Sequence, residues 1–148
     1  MDFKHSLPVQ IRFSDVDQFG HMNNSVYFSL YDLAKTTYLR DVMGGKELDW
    51  KDVAMVVANV NANFFAPVFF SDQLVIQTTT VHLGHKSFTL LQRAVNVAKQ
   101  EVKCECRTVM VGYNMRNLQA ELIPEEWKQA ICAFEGKSET ELSAREVK

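Results

Sequence analysis

The sequence predicts an α+β domain in which an antiparallel sheet of about five strands curls around one long helix. Three observations carry this. A single stretch of about 20 residues has helical spacing, from Ser25 to about Met43. About 60 residues of nearly continuous β pattern follow it, beginning at Val53. The elements do not alternate strand with helix, which argues against a parallel βαβ sheet. One long helix with an apolar stripe needs a sheet to cover it, and a sheet curled around the helix is the economical way to provide one.

The elements read in order as follows. Val9, Ile11 and Phe13 alternate with Gln10, Arg12 and Ser14, which predicts a half-buried strand. Residues 15–24 are rich in turn and cap types. In the helix, Val26, Leu30, Leu33, Thr37 and Tyr38 recur every three to four residues, with Tyr27, Tyr31 and Ala34 beside them. Asn23 or Asn24 suits its N-cap, and Gly44-Gly45 suits its end. Four strands are predicted next: Val53 to Phe65, Leu74 to Leu83, Phe88 to Val97 and Val102 to Met115. Pro124 opens a short helix from Glu125 to about Phe134, with acidic residues in its first turn. Residues 1–135 are expected to form the single domain, and 136–148 a polar, mobile C-terminal tail.

Composition narrows the function classes. The chain has 148 residues, 47% hydrophobic and 23% charged, so it can bury a core without staples. Sixteen Lys and Arg against eighteen Asp and Glu leave a net charge of −2. That balance offers no global pull on nucleic acid or anionic lipid. No run approaches the roughly 20 apolar residues of a membrane span, and Met1 to Gln10 does not read as a secretory signal. The cysteines are Cys104, Cys106 and Cys132, a poor disulfide framework and a poor zinc site. On a strand, Cys104 and Cys106 share a face and would pack as small hydrophobes. A reduced, cytoplasmic protein is expected.

The residues most informative about chemistry are Asp15-x-Asp17-x-x-Gly20-His21-x-Asn23-Asn24-x-x-Tyr27, set between a strand and the long helix. This run resembles the opening of the hotdog-fold acyl-CoA thioesterases, and within them the 4-hydroxybenzoyl-CoA thioesterase-like group. Phe65 to Asp72 and Leu83 to Ser87 resemble two further segments of that family. The likeness extends over roughly residues 5 to 125.

The resemblance implies hydrolysis of an acyl- or aryl-CoA thioester to free acid and thiol. It implies no metal and no bound cofactor, coenzyme A entering as part of the substrate. The family's catalytic carboxylate falls on Asp17. A carboxylate there either takes a proton from water or attacks the carbonyl to form a mixed anhydride. The oxyanion is stabilised in the family by backbone N–H groups at the start of the long helix, which lie here between Gly20 and Asn24, with Asn24 the best single position. Gly20 permits backbone that a side chain would hinder.

His21 either orients Asp17 or water, or pairs with a backbone carbonyl. The plant acyl-carrier-protein thioesterases have a similar Asp-x-Asn-x-His run, but Phe19 stands where the asparagine belongs, so that mechanism is not carried over. Asp15 is expected to bond backbone or Arg12. Tyr27 and Tyr31 share a helix face and either line the acyl pocket or form plain core. Asp32 stands where many relatives have Glu.

For the coenzyme A end, the resemblance points to His85, Lys86 and Ser87 at a turn, with Arg93 or Arg107 for a phosphate. The family's groove lies between subunits, so a homodimer or homotetramer is implied, with Asp17 from one chain and groove residues from another. The thiol carrier is coenzyme A or an acyl-carrier protein. Two other readings are a hotdog hydratase and a non-catalytic module that binds acyl-CoA or acyl-carrier protein. No basic recognition helix is present to suggest nucleic acid.

Overall fold

The structure is a computed structural model that describes residues 2–45 and 53–144. Its element order is β1 (His5–Val9), α1 (Asn24–Val42), β2 (Val53–Phe64), β3 (Leu74–Leu83), β4 (Ser87–Asn96), β5 (Glu101–Asn114), β6 (Gln119–Glu121), α2 (Glu125–Glu135) and α3 (Glu139–Ser143). The five long strands make one antiparallel sheet in the order β1-β3-β4-β5-β2, and β6 pairs with the end of β5. The α+β class, the long helix and the antiparallel sheet are those the sequence predicts.

The first strand lies upstream of its predicted position. His5 to Val9 pairs with Leu74 to Thr78, while Phe13–Asp15 forms one 3-10 turn. Local hydrogen bonds explain the difference. The Arg12 amide donates to Asp15 Oδ2 at 2.8 Å, and the Asp15 amide donates to the Arg12 carbonyl at 2.9 Å. Such a box closes the chain on itself, and it outweighs the alternation of Ile11 and Phe13. Pro8 also fits an edge strand, where its missing N–H does no harm.

The helix has the predicted limits but is turned about its axis. Its buried side chains are Tyr27, Tyr31, Ala34, Lys35, Tyr38, Leu39 and Val42, while Leu33 is exposed. Three tyrosines thus set the inward face, because rings remove more area from water than Val26 or Leu33 would. Two apolar clusters lie along this face. Near the start of α1, Tyr27, Tyr31 and Ala34 meet Leu74, Ile76, Ala94, Cys104 and Cys106. Near its end, Tyr38, Leu39 and Val42 meet Leu83, Phe88, Leu90, Met110, Trp127, Ile131 and Leu142.

The segment after Gly136, expected as a mobile tail, continues into α3. Ser138 caps it, accepting from the Glu141 amide at 3.1 Å, and Leu142 is buried in the second cluster. Leu142 and the Lys128–Glu139 ion pair, at 3.7 Å, tie these five residues to α2. Just before α3, the Glu135 carboxylate is buried and fully engaged. It accepts from Tyr38 Oη at 2.8 Å, from Thr79 Oγ1 at 2.9 Å and from the Thr80 amide at 3.2 Å. His5 is buried here too, with Nε2 2.8 Å from Asp41 Oδ2 and its ring edge-on to Tyr38. Among the described residues, no helix is long and apolar enough to cross a membrane.

Candidate active site

Residues 15–24 form a tight loop between the 3-10 turn and α1. Val16 bridges to Met22, the Asp17 amide donates to the His21 carbonyl at 2.8 Å, and the Gly20 amide donates to the Asp17 carbonyl at 3.0 Å. This is a turn stapled across its neck. Gly20 sits at φ +79° with open space where a Cβ would stand, so backbone conformation, not crowding, is what calls for glycine. The loop is fastened to the rest of the molecule by the Met22 amide on the Val68 carbonyl at 2.7 Å and the Asn23 amide on the Asp15 carbonyl at 2.9 Å.

The Asp17 carboxylate is half-buried in this loop. Its Oδ1 accepts from the Phe19 amide at 2.9 Å and from the His21 amide at 3.2 Å. Among the described residues both hydrogen bonds fall on Oδ1, which leaves Oδ2 for a ligand. Asp15 is buried and bonds Arg12 through amide and guanidinium, as expected, so it shapes the loop and stays out of the cleft.

A cleft of about 580 Å³ opens beside Asp17. Asp17, His21, Asn23, Asn24, Ser25 and Tyr27 form one wall, and residues 64–67 form the other. That second wall is pinned to β5 by the Phe65 and Ala66 amides, both donating to the Lys103 carbonyl. Asp72 stiffens the chain that follows, with Oδ2 taking the Phe69 amide and Oδ1 the Asn96 side chain, each at 2.9 Å.

Backbone donors in the loop can be sorted by what they already hold. The amides of Gly20, His21, Met22 and Asn23 are all committed, to Asp17, Asp17, Val68 and Asp15 respectively. The amides of Asn24 and Ser25, the first two of α1, have no acceptor among the described residues. Asn23 is the N-cap, yet its side chain makes no capping bond. Such a bond is ordinarily worth about 0.5–2 kcal/mol. Here the helix forgoes it, and two N–H groups at the positive end of the dipole are left without acceptors on residues that line the cleft. Asn24, the position singled out from the sequence, is among the amides without an acceptor. Gly20 shapes the turn, Asn24 is a free donor, and Ser25 joins it. Counting helix positions from the N-cap would have found Ser25, had the cap been known.

His21 contributes chiefly through its backbone, which clasps Asp17 at both ends of the turn. Its ring lies edge-on to Phe69 with centroids 5.2 Å apart, beside the cleft. Tyr27 lines the cleft and packs on Phe64, whereas Tyr31 stacks behind it as core. Burial pushes both phenols above their usual range, and it pushes the Cys104 thiol beneath them up to about 11. Asp32 pairs with Lys35 at 3.1 Å outside the cleft.

The turn of His85, Lys86 and Ser87 lies far from Asp17 in the same chain. It follows Leu83, a member of the second cluster, and its carbonyls hold Gly112 and Ile123. The ten residues of β3 separate it from the cleft end, about 30 Å at the usual strand rise. These three residues and Asp17 are thus not one site within a protomer. Arg93 is engaged by Glu105 at 2.8 Å, which holds its guanidinium on the sheet.

The fold and the cleft have counterparts among known proteins. A thioesterase of Thermus thermophilus, solved with coenzyme A and zinc, superposes with a TM-score of 0.79 at 26% identity, covering 92% of this chain and 97% of that one. The PA5185 protein of Pseudomonas aeruginosa gives 0.78 at 28% identity, covering 90% and 92%. The acyl-CoA thioester hydrolase YbgC of Escherichia coli O6:H1 is 28% identical over 127 residues, which span 82% of this chain and 94% of that protein. The long-chain acyl-CoA thioesterase FadM of Escherichia coli K12 is 23% identical over 123 residues, 83% and 93% of the two chains. The model of the thioesterase-like superfamily matches residues 11–131, from the strand-to-helix loop to α2, and with its hotdog architecture the chain belongs to that superfamily.

Proposed function

We propose that the chain is an acyl-CoA thioesterase, hydrolysing a thioester at the cleft beside Asp17. One observation carries the reading: a carboxylate with an open oxygen shares a cleft with two unpaired helix-start amides. That pairing matches what thioester cleavage requires. The carbonyl oxygen binds the Asn24 and Ser25 N–H groups. Asp17 then takes a proton from water as the water oxygen bonds to the carbonyl carbon, or it bonds to that carbon itself. Negative charge gathers on the carbonyl oxygen, where each donor is worth about 2.7–4 kcal/mol of barrier. The C–S bond breaks as the carbonyl reforms, and the thiolate departs. In the second route water then cleaves the anhydride and regenerates Asp17. Both routes use the same groups.

The relatives' acyl-CoA activities and the coenzyme A in the Thermus thermophilus structure support acyl-CoA as the substrate. The reading includes a homo-oligomer in the cytoplasm. Among the described residues β2 is an edge strand, with Val57, Val60 and Phe64 exposed along it, and an open edge of this kind favours pairing with a second copy. A partner's turn at residues 85–87 would then reach this protomer's cleft, which reconciles their distance within one chain with a role at the coenzyme A end. Light scattering tests this: a dimer or larger is expected, and a fully active monomer overturns the shared site. For the activity, thiol release from acetyl-, octanoyl-, palmitoyl- and benzoyl-CoA is the direct assay. Turnover on at least one is expected. Tight binding of acyl-CoA without turnover would replace the enzyme by a binding module.

A further inference from the structure

Asp17 borders two cavities, not one. Beyond the cleft, on the other side of its turn, lies a second cavity, also of about 580 Å³, bounded by Phe13, Val16, Asp17, Gln18, Gly20 and Phe70. Such a volume lies within the roughly 300–1,000 Å³ range of ligand pockets. The two differ in chemistry. The first presents asparagines, a serine and open amides on the wall beside Asp17, with Phe64 to Pro67 opposite. The second is walled by two phenylalanines in an edge-to-face pair, centroids 6.4 Å apart, and by a valine. These rings are not hidden: Phe13 is 83% exposed and Phe70 52%. Aromatic rings held open to water around one concavity mark a surface that meets an apolar partner.

We propose that the turn of residues 17–20 divides the substrate, with the thiol arm in the polar cleft and an apolar acyl group in the cavity of Phe13 and Phe70. The inference rests on the thioesterase reading and deepens it by naming Phe13 and Phe70 as the side chains that set acyl specificity. A thioester has two substituents that leave the reacting carbon in different directions. The carbon lies against Asp17, and Asp17 is the residue common to both cavities. The pantetheine arm of coenzyme A carries amides that match the polar wall, whereas a hydrocarbon gains from the aromatic one.

The test is the acyl-length profile. We compare kcat/KM for acetyl-, octanoyl- and benzoyl-CoA in the wild type, in Phe13→Ala and Phe70→Ala, and in Phe28→Ala. Phe28 lies on α1 away from the turn. Phe13 is exposed, so its truncation leaves the core intact, and circular dichroism verifies this. The expected result is that Phe13→Ala and Phe70→Ala lower the octanoyl-to-acetyl ratio about tenfold, while Phe28→Ala leaves it unchanged. An unchanged ratio in both first variants, or a fall confined to Phe28→Ala, overturns the assignment. If the wild type releases thiol from no thioester, the hydrolase reading fails separately, and calorimetry decides the acyl cavity. Octanoyl-CoA binding no tighter than coenzyme A, or equally tight to Phe13→Ala, then overturns it.

Discussion

The two ends of α1 treat buried and half-buried polar groups in opposite ways. At its C-terminal end the Glu135 carboxylate lies among Tyr38, Thr79 and Thr80, every contact a hydrogen bond, with Tyr38 Oη and Thr80 Oγ1 only 2.6 Å apart. At its N-terminal end the cap makes no side-chain bond, and two amides lack acceptors among the described residues. Satisfied groups lower the free energy of the fold, and unsatisfied ones raise it unless a ligand arrives. One helix is thus anchored at one end and left open at the other, and the open end is where substrate would complete the hydrogen bonding.

The largest effect that would sharpen this contrast comes from Asp17→Asn. Thiol release should fall about 100- to 10,000-fold, the usual contribution of a positioned acid–base group. The side-chain oxygen of asparagine can still accept from Phe19 and His21, so chemical denaturation should show a stability change under about 0.5 kcal/mol. Turnover near the wild-type rate would remove Asp17 from the chemistry.

Asn24→Pro comes next. Asn24 is the first helical residue, where proline is tolerated because its N–H bonds nothing in the helix. Asn23 already has φ −59° and ψ 139°, which a following proline permits. The variant therefore deletes one donor and little else. The rate should drop about 100- to 1,000-fold, whereas Asn24→Ala, which keeps the amide, should retain most activity. Equal losses in the two would assign the effect to the side chain.

The opposite end should respond in stability alone. Glu135→Ala strands the Thr79 and Tyr38 hydroxyls and the Thr80 amide, at a cost of about 3 kcal/mol measured by urea unfolding. Activity per folded molecule should be unchanged. A selective loss of rate would mean that the two ends are coupled through the helix.

The smallest effect concerns alkaline pH. The Cys104 thiol is raised to about 11 by burial, above the unfolded value near 9. The folded state therefore favours the neutral thiol, and its contribution to stability is complete below about pH 9. It is lost as pH rises from about 9 towards 11, by at most about 1.4 kcal/mol per pH unit for one group. Cys104→Ala should flatten the unfolding curve in that interval, and an identical slope would show that other groups dominate.

Much of this was legible in the residues. The strands from Leu74 to Asn114 follow from β-branched runs broken by Gly84 and the 98–101 turn, and the structure moves their ends by only one residue. Asp17 and the helix start were legible because turn, cap and carboxylate types crowd into ten positions. What escaped was decided by competition over distance. The first strand lost Phe13 and Ser14 to the Asp15 box. The helix face followed its tyrosines, not its branched residues. The C-terminal segment reads as polar, and only the location of Leu142 against Trp127 and Ile131 reveals that it docks. The division between free and committed amides depends on Val68 and Asp15 carbonyls, which no local pattern announces.

The sheet order has a consequence for how the protein is made. Among the described residues β2 finds its one strand partner in β5, with Val53 opposite Asn114 and Phe64 opposite Cys104. Lys4, at the other extreme, holds the Glu135 carbonyl at 2.8 Å, 131 positions along the chain. During synthesis β2 leaves the ribosome dozens of residues before its partner exists, and Lys4 waits longer still for the Glu135 carbonyl. Contacts this remote form slowly and leave strand edges open meanwhile.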